Sequence, residues 1–251
     1  MSQPNDEVLP LIKLNPYIKK TCICCYNPKL VNMDMLWKQN VMLKFILVNN
    51  LKPKNLLDIG AGEMSISAYC IKNYDCEYTA VDLEGVSKNN FFKLLKNNNI
   101  STEKVDYQIV DFLEFKTNKK FDLIIDGCAM IHFKPTKKES ANDGLLYCGR
   151  KIKNVLSDNG YFLFTGDCLK SNLKNHRGEK NIEYITKEQI IECFEKSGLN
   201  YLKEFTHFLS RDNINNSHSV LDFSTINKGW KAFDFRHRDH YDRVFLVFKK
   251  N

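Results

Sequence analysis

The chain has 251 residues, 43% of them hydrophobic and 12% aromatic, enough for a sizeable core in one large α/β domain and far from a disordered composition. The net charge of +7 favours an anionic partner, but no RNP-like motif, zinc knuckle or dense arginine tract accompanies it, so nucleic acid is not the expected one. No apolar run approaches the length of a membrane span and Met1–Glu7 is polar and acidic, so a soluble, cytoplasmic protein without membrane contacts is expected.

Residues 1–50 precede the first strand and are taken as an N-terminal cap segment. Cys22, Cys24 and Cys25 cluster there, but a zinc site needs a fourth ligand and a spacing nearer C-x-x-C, so no metal is expected. The chain has nine cysteines, an odd number, mostly inside expected helices or strands, which points to reduced thiols rather than disulfides. Met33–Asn49 is an amphipathic stretch with Leu36, Met42, Phe45 and Leu47 as apolar candidates. It reads as a helix packed across the sheet edge, as a lid over a ligand, or as both.

Seven strand candidates follow: Asn55–Ile59, Glu77–Val81, Tyr107–Val110, Phe121–Asp126, Tyr161–Thr165, Tyr201–Leu209 and Val244–Lys249. The first five are short apolar runs without alternation, as parallel strands covered on both faces require. Helix-like stretches such as Ser87–Asn97 and Glu139–Leu156 lie between them. That alternation means an α/β fold with a doubly wound, seven-stranded sheet, in one domain spanning 1–251 with its core in 51–210 and 242–251. Residues 211–241 form a long insertion between the last two strands. Loops of that length are uncommon, and Trp230, Phe233 and Phe235 make this one too aromatic for disorder, so it reads as a substrate cover.

The strand Asn55-Leu56-Leu57 runs into Asp58-Ile59-Gly60-Ala61-Gly62, ahead of the helix-compatible Glu63–Ile71. Glycines here let the backbone turn sharply and let a ligand approach without a Cβ in the way, while the next helix offers its N-terminal amides. Asp82 closes the second strand twenty residues beyond Gly62, where a carboxylate can accept hydrogen bonds from both ribose hydroxyls. A dinucleotide fingerprint wants a third glycine three residues on, and that position is Ser65. Asp58 would also repel a pyrophosphate, whereas a cationic amino group would sit well beside it.

These residues and those that follow resemble the class I S-adenosylmethionine-dependent methyltransferases, over roughly Asn55 to Gly166. Leu56–Gly62 is similar to the family's first motif, and Val81-Asp82 to its acidic ribose-binding position. Ile109-Val110-Asp111-Phe112 resembles the third-strand motif, whose Asp meets the adenine amino group while the next residue packs on the ring. Phe121–Asp126 resembles the fourth strand, where the active site opens, and Leu156–Tyr161 the helix-to-strand turn, here made by Asp158-Asn159-Gly160. The resemblance implies S-adenosyl-L-methionine as cofactor, S-adenosyl-L-homocysteine as product, and a mostly parallel sheet with the last strand antiparallel. It implies cofactor contacts at Asp58, Gly60, Ala61, Gly62, Asp82, Leu83, Asp111, Phe112, Asp126 and Gly127. Trp37, with Tyr26 and Lys38, would close over the methionine end, a role similar enzymes often give this region.

Methyl transfer from a sulfonium is an in-line displacement, so the protein has to align an acceptor and, if that is a hydroxyl, take its proton. His132, about a helical turn beyond the fourth strand, is the candidate base; the simpler alternative is that it packs over the cofactor. Asp126 and Asp167, at the same sheet edge, complete the catalytic candidates, Asp167 either holding an acceptor hydroxyl or capping a helix. Tyr26, His176-Arg177 and Arg236-His237-Arg238 are the substrate-binding candidates, their cations suited to an anionic group. The expected function is methyl transfer to a small, anionic acceptor: phosphorylated, nucleotide-linked, or a sugar or phosphoramidate of a surface-polysaccharide precursor. The alternatives are an RNA or protein methyltransferase, against which the absence of an Asn-Pro-Pro-Tyr motif at Asp126-Gly127-Cys128-Ala129 speaks, and a non-catalytic partner subunit that binds the cofactor.

Overall fold

The structure, a computed structural model, describes residues 30–31, 33–62, 65–127, 129–130, 133, 140–169, 185–209, 231–232 and 241–250. Strand β1 (Leu30–Val31) precedes helix α1 (Met33–Val48), then come β2 (Asn55–Ile59), α2 (Ser65–Tyr74), β3 (Glu77–Asp82), α3 (Gly85–Asn97), β4 (Val105–Ile109) and β5 (Phe121–Gly127). They are followed by α4 (Ala141–Val155), β6 (Leu156–Leu169), α5 (Lys187–Lys196), β7 (Leu199–Tyr201), β8 (His207–Leu209), β9 (Lys231–Ala232) and β10 (Tyr241–Lys250).

The main sheet has the order β4-β3-β2-β5-β6-β10-β7, with β8 also paired to β10. The first five strands are parallel, and β10 runs antiparallel to β6, β7 and β8. The expected seven-stranded, mostly parallel sheet is therefore present. Its Tyr201–Leu209 strand is split by a 3-10 turn at Lys203–Phe205, so β7 and β8 occupy successive stretches of one β10 edge, at Phe248–Lys250 and Arg243–Phe245.

Successive residues of the inner strands feed two different cores. Leu56, Leu123, Ile125, Leu163, Phe245 and Val247 meet the side of α1, α2 and α3, while Leu57, Ile124, Phe162, Phe164, Leu246 and Phe248 meet α4 and α5. Both faces are covered on the inner strands, which is why they show no polar alternation, whereas the edge strand β4 alternates, with Asp106 and Ile109 exposed, contrary to the sequence expectation. On the second face Phe194 of α5 sits edge-on to Phe162, Phe164 and Phe248, with centroids 5.3, 5.4 and 5.0 Å away. Rings at these distances add about 0.5–1.5 kcal/mol per pair beyond burial. Capping boxes at Ser140–Asp143 and Thr186–Gln189 start α4 and α5.

Two sequence expectations are corrected along β6. Phe121 pairs with Leu156 and Leu123 with Tyr161, so Asp158-Asn159-Gly160 is a bulge inside the strand rather than a turn before it. A Cβ on Gly160 would lie 2.8 Å from Leu156 Cδ1 and 2.9 Å from the Phe121 carbonyl oxygen, which requires glycine there. At its other end β6 continues to Leu169 because β10 pairs with it as far as Tyr241. Asp167 thus lies within the strand opposite Arg243, which removes the helix-capping role.

Helix α1 covers the expected Met33–Asn49 stretch. Met42 and Phe45 are core residues and Leu47 packs at its margin, but Lys38 and Gln39 are buried too, so more than one face of the helix is enclosed. The side chain of Leu36 lies outside the described residues. β1 pairs in parallel with β9, joining the N-terminal segment to the 211–241 insertion. Cys70, Cys76, Cys148, Cys168 and Cys193 are buried free thiols; Cys22, Cys24 and Cys25 lie outside the described residues. No helix among the described residues is long and apolar enough to cross a membrane.

Candidate functional site

From β2 the sheet grows one way through β3 and the other way through β5, so a crevice opens between the carboxyl ends of β2 and β5. The turn leaving β2 is fastened to its neighbour. The Gly60 and Ala61 N–H groups donate to the Val81 carbonyl at 2.8 and 3.2 Å, and the Gly62 N–H donates to Asp82 Oδ2 at 2.6 Å. Asp82 Oδ1 accepts the Glu84 N–H at 2.9 Å, and the Tyr107 hydroxyl donates to the Gly62 carbonyl at 3.0 Å.

The two glycines serve different ends. Gly60 has φ +63°, and a Cβ there would overlap the Ala129 Cβ in the loop beyond β5. Gly62 has φ +51°, but a Cβ there would meet nothing within 4 Å among the described residues. The space in front of Gly62 is therefore open to a ligand, whereas Gly60 lets two loops of the protein touch.

Asp58 is fully buried. Its Oδ2 accepts from the Ser67 hydroxyl at 2.7 Å and the Tyr78 hydroxyl at 3.0 Å, while its Oδ1 has no hydrogen-bond partner among the described residues. Burial pushes the carboxyl well above its ordinary range despite those hydrogen bonds, and the nearby carboxylates of Asp126 and Asp82 push the same way. Asp126 and Asp82 thus act electrostatically on Asp58 from the ends of β5 and β3. Asp126 is also fully buried, and its Oδ1 accepts the Ala129 and Met130 N–H groups at 3.0 and 3.2 Å, holding the loop that leads towards His132. Gly127 ends β5 and is half-buried, and Ala61 is buried in the turn.

Beyond β4, Asp111 Oδ1 accepts the Leu113 N–H at 2.8 Å. Phe112 is only 2% exposed, stacked against Phe115 and Phe133 in the core. The apolar side chains that do face outward here are Leu83, Val86 and Ile109, at 63%, 65% and 46% exposure. Of these only Leu83 is among the sequence candidates; hydropathy alone marks the other two as core.

On the far side of β5, the buried Asp167 pairs with Arg243, and Lys38 Nζ lies 3.9 Å from the same Oδ1. Lys38 brings the first half of α1 to this edge. Arg243 carried no sequence signal, being a lone cation in an apolar strand. Trp37 lies on α1, but its side chain, like Tyr26, His132, His176, Arg177, Arg236, His237 and Arg238, lies outside the described residues.

By sequence, no protein-family model and no curated protein matches the chain. Solved structures do. The chain is similar to the [4+2]-cyclase SpnF, with a TM-score of 0.62 at 17% identity over 99% of this chain and 94% of that one. It is similar to coclaurine N-methyltransferase bound to N-methylheliamine and SAH, with a TM-score of 0.61 at 14% identity over 98% and 86%. It is also similar to geranyl diphosphate C-methyltransferase from Streptomyces coelicolor A3(2), in complex with Mg2+, geranyl diphosphate and S-adenosyl-L-homocysteine, with a TM-score of 0.60 at 12% identity over 86% and 83%. The chain has the Rossmann-like fold of the class I S-adenosylmethionine-dependent methyltransferases.

Proposed function

We propose that this protein binds S-adenosyl-L-methionine at the carboxyl ends of β2, β3 and β4 and transfers its methyl group to a small acceptor, releasing S-adenosyl-L-homocysteine. The fold alone does not decide this, since one similar structure is a cyclase. The observation that carries the reading is Asp82 at the end of β3, half-buried with lone pairs to spare, beside open space at Gly62. A pyrophosphate would be repelled by the Asp82 carboxylate, while a ligand carrying ammonium and sulfonium charge is attracted.

The residues present fit that ligand. Asp82 is half-buried, and each oxygen accepts one backbone N–H, so its remaining lone pairs can receive ribose hydroxyls. Leu83, Val86 and Ile109 supply an exposed apolar surface for a purine, and Asp111 an acceptor for its amino group. Phe112 is sequestered in the core against Phe115 and Phe133 instead of stacking on the ring. The chemistry that S-adenosylmethionine supplies when bound is an electrophilic methyl with its own leaving group.

The protein's own work is to orient the acceptor and dispose of its proton. His132 takes the proton of an acceptor hydroxyl, and Asp126 holds the loop before it through Ala129 and Met130. Asp167, flanked by Lys38 and Arg243, anchors α1 to the edge of the sheet rather than holding an acceptor hydroxyl. The +7 charge and the cations of His176-Arg177 and Arg236–Arg238 support an anionic acceptor, such as a phosphorylated or nucleotide-linked sugar. Calorimetry with S-adenosylhomocysteine tests the binding, and absence of binding overturns the proposal. An acceptor screen read by homocysteine product tests the transfer, and cofactor binding with no turnover on any acceptor would leave only a binding protein.

A further inference from the structure

Lys151, in α4, makes contacts that neither the fold nor the cofactor contacts account for. Its ammonium donates to three backbone carbonyls far away in sequence: Phe112 at 2.6 Å, Leu113 at 2.7 Å and Phe115 at 2.9 Å. These carbonyls belong to one helical turn beyond β4, in which the Asp111 carbonyl accepts the Glu114 and Phe115 N–H groups, each at 2.9 Å. At its start the Asp111 carboxylate accepts the Leu113 N–H, and the Val110 N–H donates to the Asp82 carbonyl at 3.0 Å.

A single turn of helix is unstable by itself in water. This one has a carboxylate at its amino end and an ammonium at its carbonyl end, the signs that suit the backbone dipoles. An ammonium has three N–H donors, and each has an acceptor on this turn. Lys151 Nζ also lies 5.2 Å from the Phe112 ring centroid, and Phe112 stacks at 6.2 Å on Phe133, just past the loop that contains His132. Lys151 thereby ties the Asp111 turn to α4 and, through Phe112, to the loop beyond β5.

We infer that Lys151 is a positioning residue for purine recognition, clamping the Asp111–Phe115 turn so that the Asp111 carboxylate receives the amino group of an adenine. This rests on the cofactor reading above and adds a determinant of specificity outside the binding surface. Removing the clamp leaves the purine surface of Leu83, Val86 and Ile109 in place. The expected loss is in discrimination for the amino group, more than in binding as such.

The test is calorimetry on the full chain with S-adenosylhomocysteine and with its analogue carrying unsubstituted purine in place of adenine. The wild type should favour the adenine ligand by about tenfold or more, as a site built to hydrogen-bond an N–H does. In Lys151→Met the stem still covers Phe112 but the three carbonyls lose their donor. The preference should fall at least about fivefold while the analogue's affinity stays within about twofold. A preference unchanged in Lys151→Met, or equal weakening of both ligands, overturns the inference and leaves the cofactor reading intact. A wild type that binds neither ligand overturns both. If Lys151→Met does not fold, Lys151→Gln takes its place: its amide can donate at most two of the three hydrogen bonds, and a preference it leaves unmoved overturns the inference equally.

Discussion

The Gly62 N–H donates to Asp82 Oδ2 at 2.6 Å, tying the turn after β2 to the last residue of β3. One carboxylate therefore both shapes the turn and stands ready to receive a ribose. Asp82→Ala should weaken S-adenosylhomocysteine binding by about 1–3 kcal/mol, read by calorimetry, because a charge-assisted pair of hydrogen bonds is lost. Full affinity in that variant would mean the ribose contacts lie elsewhere.

The two glycines of the turn should respond differently. Gly60→Ala combines an unfavourable φ with overlap on Ala129, so urea unfolding should show a loss above the roughly 1–2 kcal/mol of left-handed backbone strain alone. Gly62→Ala carries the strain without the overlap, and its methyl enters the open space. It should fold more stably than Gly60→Ala yet lose ligand affinity. The reverse order of stabilities would contradict this division of roles.

Asp58 makes a pH-dependent contribution. Its folded carboxyl titrates well above the ordinary 3.8, so the unfolded chain gives up the proton first. Stability from this group is full below that ordinary value, falls as pH rises towards the folded pKa, and stays low beyond it. Asp58→Asn does not titrate. Parallel thermal melts should therefore show the wild type losing ground to Asp58→Asn as pH rises from about 4 towards neutrality. A wild type that gains on the variant over that range would refute the burial argument.

Arg243 and Asp167 form a buried ion pair between β6 and β10, with Lys38 of α1 at its side. Arg243→Met removes the closer cation from a buried carboxylate and should destabilise the fold by about 3–5 kcal/mol in denaturant titrations. A change within about 0.5 kcal/mol would place the pair among surface-like contacts of little weight.

The legible parts of this protein are those in which neighbours along the chain are also neighbours in space. Asp58-Ile59-Gly60-Ala61-Gly62 follows its own strand, Asp82 ends the next, and unbroken apolar runs mark strands buried on both faces. Asp58 itself was legible as a carboxylate at the crevice, but not as one held by Ser67 and Tyr78 in a fully buried position. Phe112 shows the limit from the other side: its place in the motif suggested a ring stacked on adenine, and the core formed with Phe115 and Phe133 absorbed it. The exposure of Val86 and Ile109 is equally hidden, because hydropathy marks any aliphatic residue as core.

The sequence by itself determined a doubly wound sheet and its ligand-bearing edge, since these follow from local periodicity and from glycine and aspartate at strand ends. Tertiary structure decided why Gly60 and Gly62 differ, through Ala129 approaching only one of them. It likewise decided that Asp167 meets Arg243, through the antiparallel register of β6 and β10, and that Lys151 reaches a turn 36 to 39 residues earlier in the chain. Such contacts join residues whose separation along the chain carries no period, so only the packing of whole elements brings them together.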